Sequence, residues 1–228
     1  MTDIHSHILY DVDDGAKSIL DSIEIIKKMK SVGFNNLILT PHFINGSRYS
    51  NDRLDNISRI KKIREHLMDN NIDINVFLGN EIFICKDIYD LVKKNIISTL
   101  NNSRYILIEL PFDSQINNLY DIIYELKYQG FIPIIAHPER YTYFQKDYGL
   151  VNQLYNEGVL FQSNYLSIIG YYGTDAKNLL RYMLKNNLIS YLASDIHSVN
   201  KTPFFEKFTL IENEIIKIMI FVLRIRER

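Results

Sequence analysis

Seven short β-type runs alternate along this chain with longer stretches patterned at helical spacing. The runs are Asp3–Leu9, Asn36–Thr40, Ile74–Gly79, Tyr105–Leu110, Ile132–Ala136, Val159–Gln162 and Ser190–Ala193. Several are apolar throughout rather than alternating, which is how strands buried on both faces read. Between them, Ile19, Ile23, Ile26 and Met29 form one helical stripe, Ile57, Ile60, Ile63 and Leu67 a second, and Leu119, Ile122, Ile123 and Leu126 a third. Gly33, Gly130 and Gly158 each stand just before the next run. There a helix can end in a left-handed turn without a Cβ clash. Repeated strand–helix units imply a parallel sheet, either closed into a barrel or doubly wound. No linker, repeat or low-complexity segment divides the 228 residues, 46% of them hydrophobic, so residues 1–228 read as one α/β domain.

The polar motifs choose between those topologies. Five of the six histidines sit in Asp3-Ile4-His5-Ser6-His7, Thr40-Pro41-His42, Ala136-His137-Pro138-Glu139-Arg140 and Ser194-Asp195-Ile196-His197. A further run ends in Gly79-Asn80-Glu81, and another carries Glu109. These motifs fall at the C-terminal ends of at least six strands, where barrel active sites are built. An open sheet would gather its ligands near one switch point. The expected architecture is therefore a barrel.

Imidazoles and carboxylates delivered to several strand ends suit a multinuclear metal site. His5 and His7 stand two apart on a strand, which puts both on one face and suits two ligands on one ion. Asp11, Asp13 and Asp14 follow. Asp11 reads as a turn residue, whereas Asp14 can reach a metal. For His42 the structural alternative is a surface loop histidine. For Glu81 it is a helix-start residue favoured by the dipole. Glu109 lies within Ile106-Leu107-Ile108-Glu109-Leu110, where a carboxylate is costly unless paired or metal-bound. Arg140 offers a fixed fork of donors suited to phosphate oxygens, with a structural salt bridge as the alternative. Asp195 and His197 repeat the two-residue spacing. His66, on a helix, reads as a surface residue with no catalytic role.

Other chemistries are excluded or poorly served. Lys and Arg number 26 against 27 Asp and Glu, so no broad basic field exists for nucleic acid. Neither a Walker loop nor a Gly-x-Gly-x-x-Gly turn occurs. Cys85 lacks the arginine six positions on that a cysteine phosphatase needs, because Leu91 stands there, and it reads as a buried small hydrophobe. A single cysteine permits no intramolecular disulfide and suits a reducing compartment. The start leaves no room for a secretory signal before His5, and Ile215–Ile225 is shorter than the roughly 20 residues of a membrane span. A cytoplasmic protein without a transmembrane segment is expected.

The ordered set of motifs resembles the polymerase-and-histidinol-phosphatase superfamily. Asp3-Ile4-His5-Ser6-His7-Ile8 followed by Val12-Asp13-Asp14-Gly15-Ala16-Lys17, then Thr40-Pro41-His42, Gly79-Asn80-Glu81-Ile82, Ala136-His137-Pro138-Glu139-Arg140-Tyr141 and Ser194-Asp195-Ile196-His197, carry the likeness from Asp3 to about Pro203. Within the superfamily the chain is similar to the manganese-dependent protein-tyrosine phosphatases of capsule and exopolysaccharide operons. The resemblance implies a distorted seven-stranded (β/α)7 TIM-like barrel with three divalent ions, manganese first, iron or zinc as alternatives. It implies that His5, His7, Glu81 and Asp195 hold one ion, that Glu81 bridges to a second shared with Glu109 and His137, and that Asp14, His42 and His197 hold the third. Asp14, His42 and His197 would thereby belong to the catalytic group together with Arg140, which would bind the substrate phosphate.

The implied reaction is hydrolysis of phosphotyrosine by a metal-activated water attacking phosphorus in line, with Asp13 and the metal-adjacent histidines as candidate acids. The implied substrate is a phosphotyrosine protein, namely a bacterial tyrosine kinase governing polysaccharide export. The rivals are a histidinol-phosphate or other small-molecule phosphomonoesterase and a catalytically silent metal-binding scaffold. One departure from the family lies in the tail, Ile218–Arg228, which replaces the usual Asn-Pro segment and is expected to pack against the barrel.

Overall fold

The computed structural model of the chain describes residues 1–200 and 203–226, with side chains of the final helix described as far as Ile215. Strand–helix alternation holds throughout. In chain order the elements are β1 (Thr2–Asp3), α1 (Ile19–Ser31), β2 (Asn36–Leu39), β3 (His42–Phe43), α2 (Arg53–Asp69), β4 (Asn75–Leu78), β5 (Glu81–Phe83), α3 (Ile88–Lys93), β6 (Tyr105–Glu109) and α4 (Leu119–Tyr128). There follow β7 (Ile132–Ala136), α5 (Thr142–Lys146), α6 (Gly149–Asn156), β8 (Leu160–Asn164), α7 (Thr174–Lys185), β9 (Tyr191–Ala193) and α8 (Phe204–Arg226). Every strand pairing is parallel, in two sheets ordered β1-β2-β4 and β3-β5-β6-β7-β8-β9.

The described residues thus contain nine short strands where seven longer ones were expected. The expected runs break where side chains or proline take over the ladder. The Ser6 N–H goes to Thr40 Oγ1 at 3.0 Å, so the Asp3–Leu9 run pairs regularly only at Thr2–Asp3 and through a bridge from Ser6 to Ile196. Pro41, which has no N–H, separates β2 from β3. Asn80 separates β4 from β5, its amide donating to the Pro41 carbonyl and accepting from the Ser98 N–H. Backbone bonds still cross from the first segment to the last, from the Asp195 N–H to the His5 carbonyl and from the His7 N–H to the Ile196 carbonyl, each 2.9 Å.

The helices are shaped by local signals and by the stripe each buries. Ser18 and Asp21 form a reciprocal capping box that starts α1, whose Ile23, Ile26 and Met29 are buried. On α4 all four stripe residues are buried. The α2 stripe is shifted: Ile57 is 38% exposed, and Asn56 takes the buried position beside Ile60, Ile63 and Leu67. Gly33, Gly130 and Gly158 have φ of 96°, 83° and 77°, the left-handed turns expected of them. Cys85 is only half-buried, against the core under α3 and α4, rather than enclosed. The first half of α8 lays Phe204, Phe208 and Ile211 into the core around Phe34. The tail from Ile218 to Arg228 lies outside the residues whose side chains are described. Among the described residues no helix is long and apolar enough to cross a membrane.

Candidate metal centre

Strand alternation separates the core from the site. Phe43, Ile82, Ile106, Ile108, Ile135 and Phe161 enter the core beneath the helices. Their neighbours take the opposite face. There Leu107, Ile134 and Ala136 form a small inner apolar cluster with Ile38 and Leu100. Towards the C-terminal ends of the strands the same face turns polar, through His42, Glu81, Glu109, Gln162 and Asn164. A ligand therefore faces inward because the residue beside it faces a helix.

The structure brings all nine expected ligands together. His7, Asp14, His42 and His197 form one group; His5, His7 and Glu81 a second; His5, His137 and Asp195 a third; His42, Glu81 and Glu109 a fourth. Within each group the ligand atoms lie within 4.8 Å of one another. Among the described residues no other side chain joins such a group, and His66 stands apart on α2. Glu81 is central. Its Oε2 lies 2.9 Å from His42 Nδ1 and 3.3 Å from Nε2 of both His5 and His7, while its Oε1 lies 2.9 Å from His137 Nε2. Glu109 stands 3.8 Å from both His137 and His42, and Asp195 Oδ1 is 3.4 Å from Nε2 of His5 and of His7. Neither Glu81 nor His42 fits its alternative reading: Glu81 opens a strand rather than a helix, and His42 is largely enclosed against Glu81.

The donor set fits divalent cations. Glu81 Oε2 and His42 Nδ1 are buried atoms without a hydrogen-bond partner, directed into a common space. Burial penalises the charge on Glu81 and Asp195, yet His5 and its neighbours hold both well below the usual carboxylate range. Burial and then the Glu81 charge push Glu109 up to about 8, and burial lowers His137 to about 4. Burial opposes protonation of His5, but Glu81 and Asp195 raise it to about 9. So dense an anionic cluster draws positive charge, as protons or as metal. Mixed imidazole and carboxylate donors suit manganese, iron or zinc.

Arg140 makes the ion pair of its structural reading and leaves the rest of its fork at the rim of the cluster. Its Nη1 donates to Asp195 Oδ2 at 3.0 Å, and its guanidinium carbon lies 4.8 Å from the Phe112 ring centre and 4.5 Å from that of Tyr172. Sandwiched between two rings and 26% exposed, it presents a fixed fork at the rim of the cluster.

Comparison with known proteins matches this geometry. Residues 1–212 match the family described as capsular polysaccharide synthesis, CpsB/CapC. The chain belongs to the CpsB/CapC family. It is 38% identical to CapC of Staphylococcus aureus, over 91% of this chain and 81% of that protein. It is 36% identical to the tyrosine-protein phosphatase YwqE of Bacillus subtilis (strain 168), over 90% of this chain and 80% of YwqE. A chain from the crystal structures of YwqE and of CpsB from Streptococcus pneumoniae, described as metal-dependent tyrosine phosphatases, superposes with a TM-score of 0.84. That match has 30% identity and covers 97% of this chain and 92% of the other. The shared fold is thus α/β with parallel sheets.

Other residues of this CpsB/CapC chain matter and were missed or misread in its sequence. The Asp13 side chain is fully enclosed and accepts from His7 Nδ1 at 2.7 Å, the Gly15 N–H at 2.9 Å and the His42 N–H at 3.0 Å. Burial opposes its charge, but His7 and these donors hold its pKa down, and its bonds fix the positions of His7 and His42. Asp3 does not reach the cluster; it accepts from the Ser194 N–H and hydroxyl, tying the first segment to the last. Gln162 and Asn164, fully buried on β8, hold His5 and Asp195. Their one sequence signal is a pair of amides two apart at the end of an apolar run.

Proposed function

We propose that this chain is a metal-dependent protein-tyrosine phosphatase of capsular or exopolysaccharide synthesis, acting in the cytoplasm on a bacterial tyrosine kinase. The observation that carries the reading is the convergence of nine imidazole and carboxylate ligands beside the Arg140 fork. The names of YwqE and CpsB as tyrosine-protein phosphatases support the reaction class. We read β2 with β3 and β4 with β5 as interrupted strands, which makes seven strands in one domain, closed into a distorted barrel by the bonds between His5, His7, Asp195 and Ile196.

In this reading three divalent ions, manganese first, are divided as the superfamily resemblance implies. His5, His7, Glu81 and Asp195 would hold the first; Glu81, Glu109 and His137 the second; Asp14, His42 and His197 the third. When bound, such ions lower the pKa of water enough to supply hydroxide near neutral pH and offset charge on phosphoryl oxygens. The chain's own residues do the rest. Arg140, held flat by Phe112 and Tyr172, orients the phosphate through donors that Asp195 leaves free. Asp13 fixes His7 so that its Nε2 faces the cluster. A tyrosyl oxygen, whose ordinary pKa is near 10, departs with little help from an acid.

The test is turnover of a phosphotyrosyl peptide and of histidinol phosphate by one manganese-loaded preparation of measured metal content. The peptide should have the higher kcat/KM. A preference for histidinol phosphate would overturn the substrate assignment, and absence of turnover at full metal content would identify a silent scaffold.

A further inference from the structure

Two amides on β8 connect the metal cluster to the phosphate fork. His5 Nδ1 lies 2.7 Å from Gln162 Oε1, and Gln162 Nε2 lies 3.0 Å from Asn164 Oδ1. Asn164 Nδ2 then lies 2.7 Å from Asp195 Oδ2, the same oxygen that Arg140 Nη1 reaches at 3.0 Å. His5, Gln162 and Asn164 are fully buried, so water cannot replace the bonds among them. The Asn164 backbone is itself pinned, its N–H donating to Glu139 Oε1 at 2.8 Å.

The series can run in one direction only. Arg140 has donors and no acceptor, so Asp195 Oδ2 accepts. Asn164 must then turn its NH2 towards Asp195, which leaves Oδ1 facing Gln162. Gln162 must in turn offer its NH2 to that oxygen, so its Oε1 faces His5. His5 must therefore carry a proton on Nδ1, which leaves Nε2 as the ring nitrogen directed to the cluster, 3.2 Å from His7 Nε2 and 3.3 Å from Glu81 Oε2. At the other end, Asp195 keeps Oδ1 for the cluster because Oδ2 is occupied.

We propose, resting on the reading of the cluster as a metal site, that Gln162 and Asn164 are positioning residues that set which nitrogen of His5 and which oxygen of Asp195 serve as ligands. Their partners differ in charge from those of the adjacent ligand. His7 is held by the carboxylate of Asp13, whereas His5 is held by a neutral amide. A neutral partner orients the ring without adding a further carboxylate to Asp13, Asp14, Glu81, Glu109 and Asp195. Asn164 also gives Asp195 Oδ2 a second donor beside Arg140, so the position of the ligand oxygen does not depend on the guanidinium alone.

The experiment is titration of the metal-free full chain with Mn2+, reading stoichiometry and affinity directly rather than through activity. Gln162→Met keeps the length and removes the acceptor, whereas Gln162→Glu keeps an acceptor for His5. Gln162→Met should weaken the tightest Mn2+ site by about 10- to 100-fold, the usual effect of losing such a partner, while Gln162→Glu, which keeps the acceptor for His5 but gives up the NH2 to Asn164, should weaken it by clearly less. Wild-type affinity in Gln162→Met would overturn the proposal, and so would equal weakening in Gln162→Glu. Should Gln162→Met fail to fold by circular dichroism, Asn164→Ser decides: weaker Mn2+ binding supports the relay and unchanged binding removes it. These affinity ratios judge the relay whether or not phosphotyrosine is hydrolysed, so its failure is distinct from failure of the phosphatase reading.

Discussion

Replacing Arg140 separates a phosphate-binding fork from a structural ion pair. One Nη1 donor is committed to Asp195 Oδ2, and the rings of Phe112 and Tyr172 confine the guanidinium to one plane. Two remaining donors on a phosphate, at about 1.5–3 kcal/mol each for hydrogen bonds to charged groups, make a loss of about 3–6 kcal/mol in Arg140→Ala. The side chain is 26% exposed, and solvent screening moves the expectation to the lower half of that range. That corresponds to a fall in kcat/KM of roughly a hundredfold to a thousandfold. Arg140→Lys keeps the charge but loses the planar fork and the ring contacts, and should recover about tenfold of the loss. The assay is hydrolysis of a phosphotyrosyl peptide at saturating Mn2+, with metal content measured in each variant because Asp195 is shared with the cluster. Activity of Arg140→Ala within about threefold of wild type at equal metal content would refute the assignment. Lysine activity equal to wild type would show that a point charge suffices and that the stacked geometry is incidental.

Two further outcomes follow from the same geometry. A Cβ on Gly15 would press on the His7 carbonyl oxygen and lie 2.7 Å from the His7 Cβ, so Gly15→Ala must displace either the Asp13–Gly15 turn or His7 itself. Overpacking of this kind costs about 1–3 kcal/mol, so a lowered Tm together with weakened Mn2+ binding is expected, and a wild-type Tm would show that the turn yields freely. In the metal-free chain, thermal stability should fall as pH rises from 6.5 to 9. His5 is raised to about 9, its carboxylate neighbours outweighing burial, so its contribution is complete below its ordinary value of 6.5 and is lost as pH passes through 9. Glu109, raised to about 8 by burial and by Glu81, acts in the same direction from 4.5 upward. A metal-free Tm that rises across this window, or a fall of equal size with Mn2+ bound, contradicts that balance.

Most of the candidate ligand positions were legible because they stand at or just beyond the end of an apolar run, where alternation turns strand residues inward; Asp14, in a loop, is the exception. Glu109 shows the logic best: Ile106 and Ile108 commit one face to the helices, so the carboxylate has to point into the cluster. Helices were legible where the apolar stripe was unambiguous, as on α4. On α2, Asn56 and Ile57 are adjacent, and spacing alone does not say which of them turns inward. The strand breaks were hidden for a different reason. They depend on side chains that capture ladder groups across the fold, as when Thr40 takes the Ser6 N–H, and such captures exist only once distant segments are in place.

The supporting residues are harder still to read, because a ligand is marked by its own chemistry whereas a partner is marked by what it faces. Gln162 meets His5 across 157 positions of sequence, and nothing in its neighbours foretells that contact. Backbone strain belongs to the same class of hidden feature. His137 and Asp195, candidate ligands just beyond β7 and β9, adopt left-handed φ of 31° and 51°, an arrangement that costs about 1–2 kcal/mol for a residue with a side chain. In the proposed assignment each supplies a ligand atom at the very residue where the chain turns, which glycine could not do. The strain is held by neighbours that are themselves fixed: the Asp195 N–H on the His5 carbonyl, Asn164 on Oδ2, and Glu81 on His137 Nε2. Under the proposed assignment a bound ion would draw on the same side chains, and metal binding would then help to offset the strain held at these strand ends.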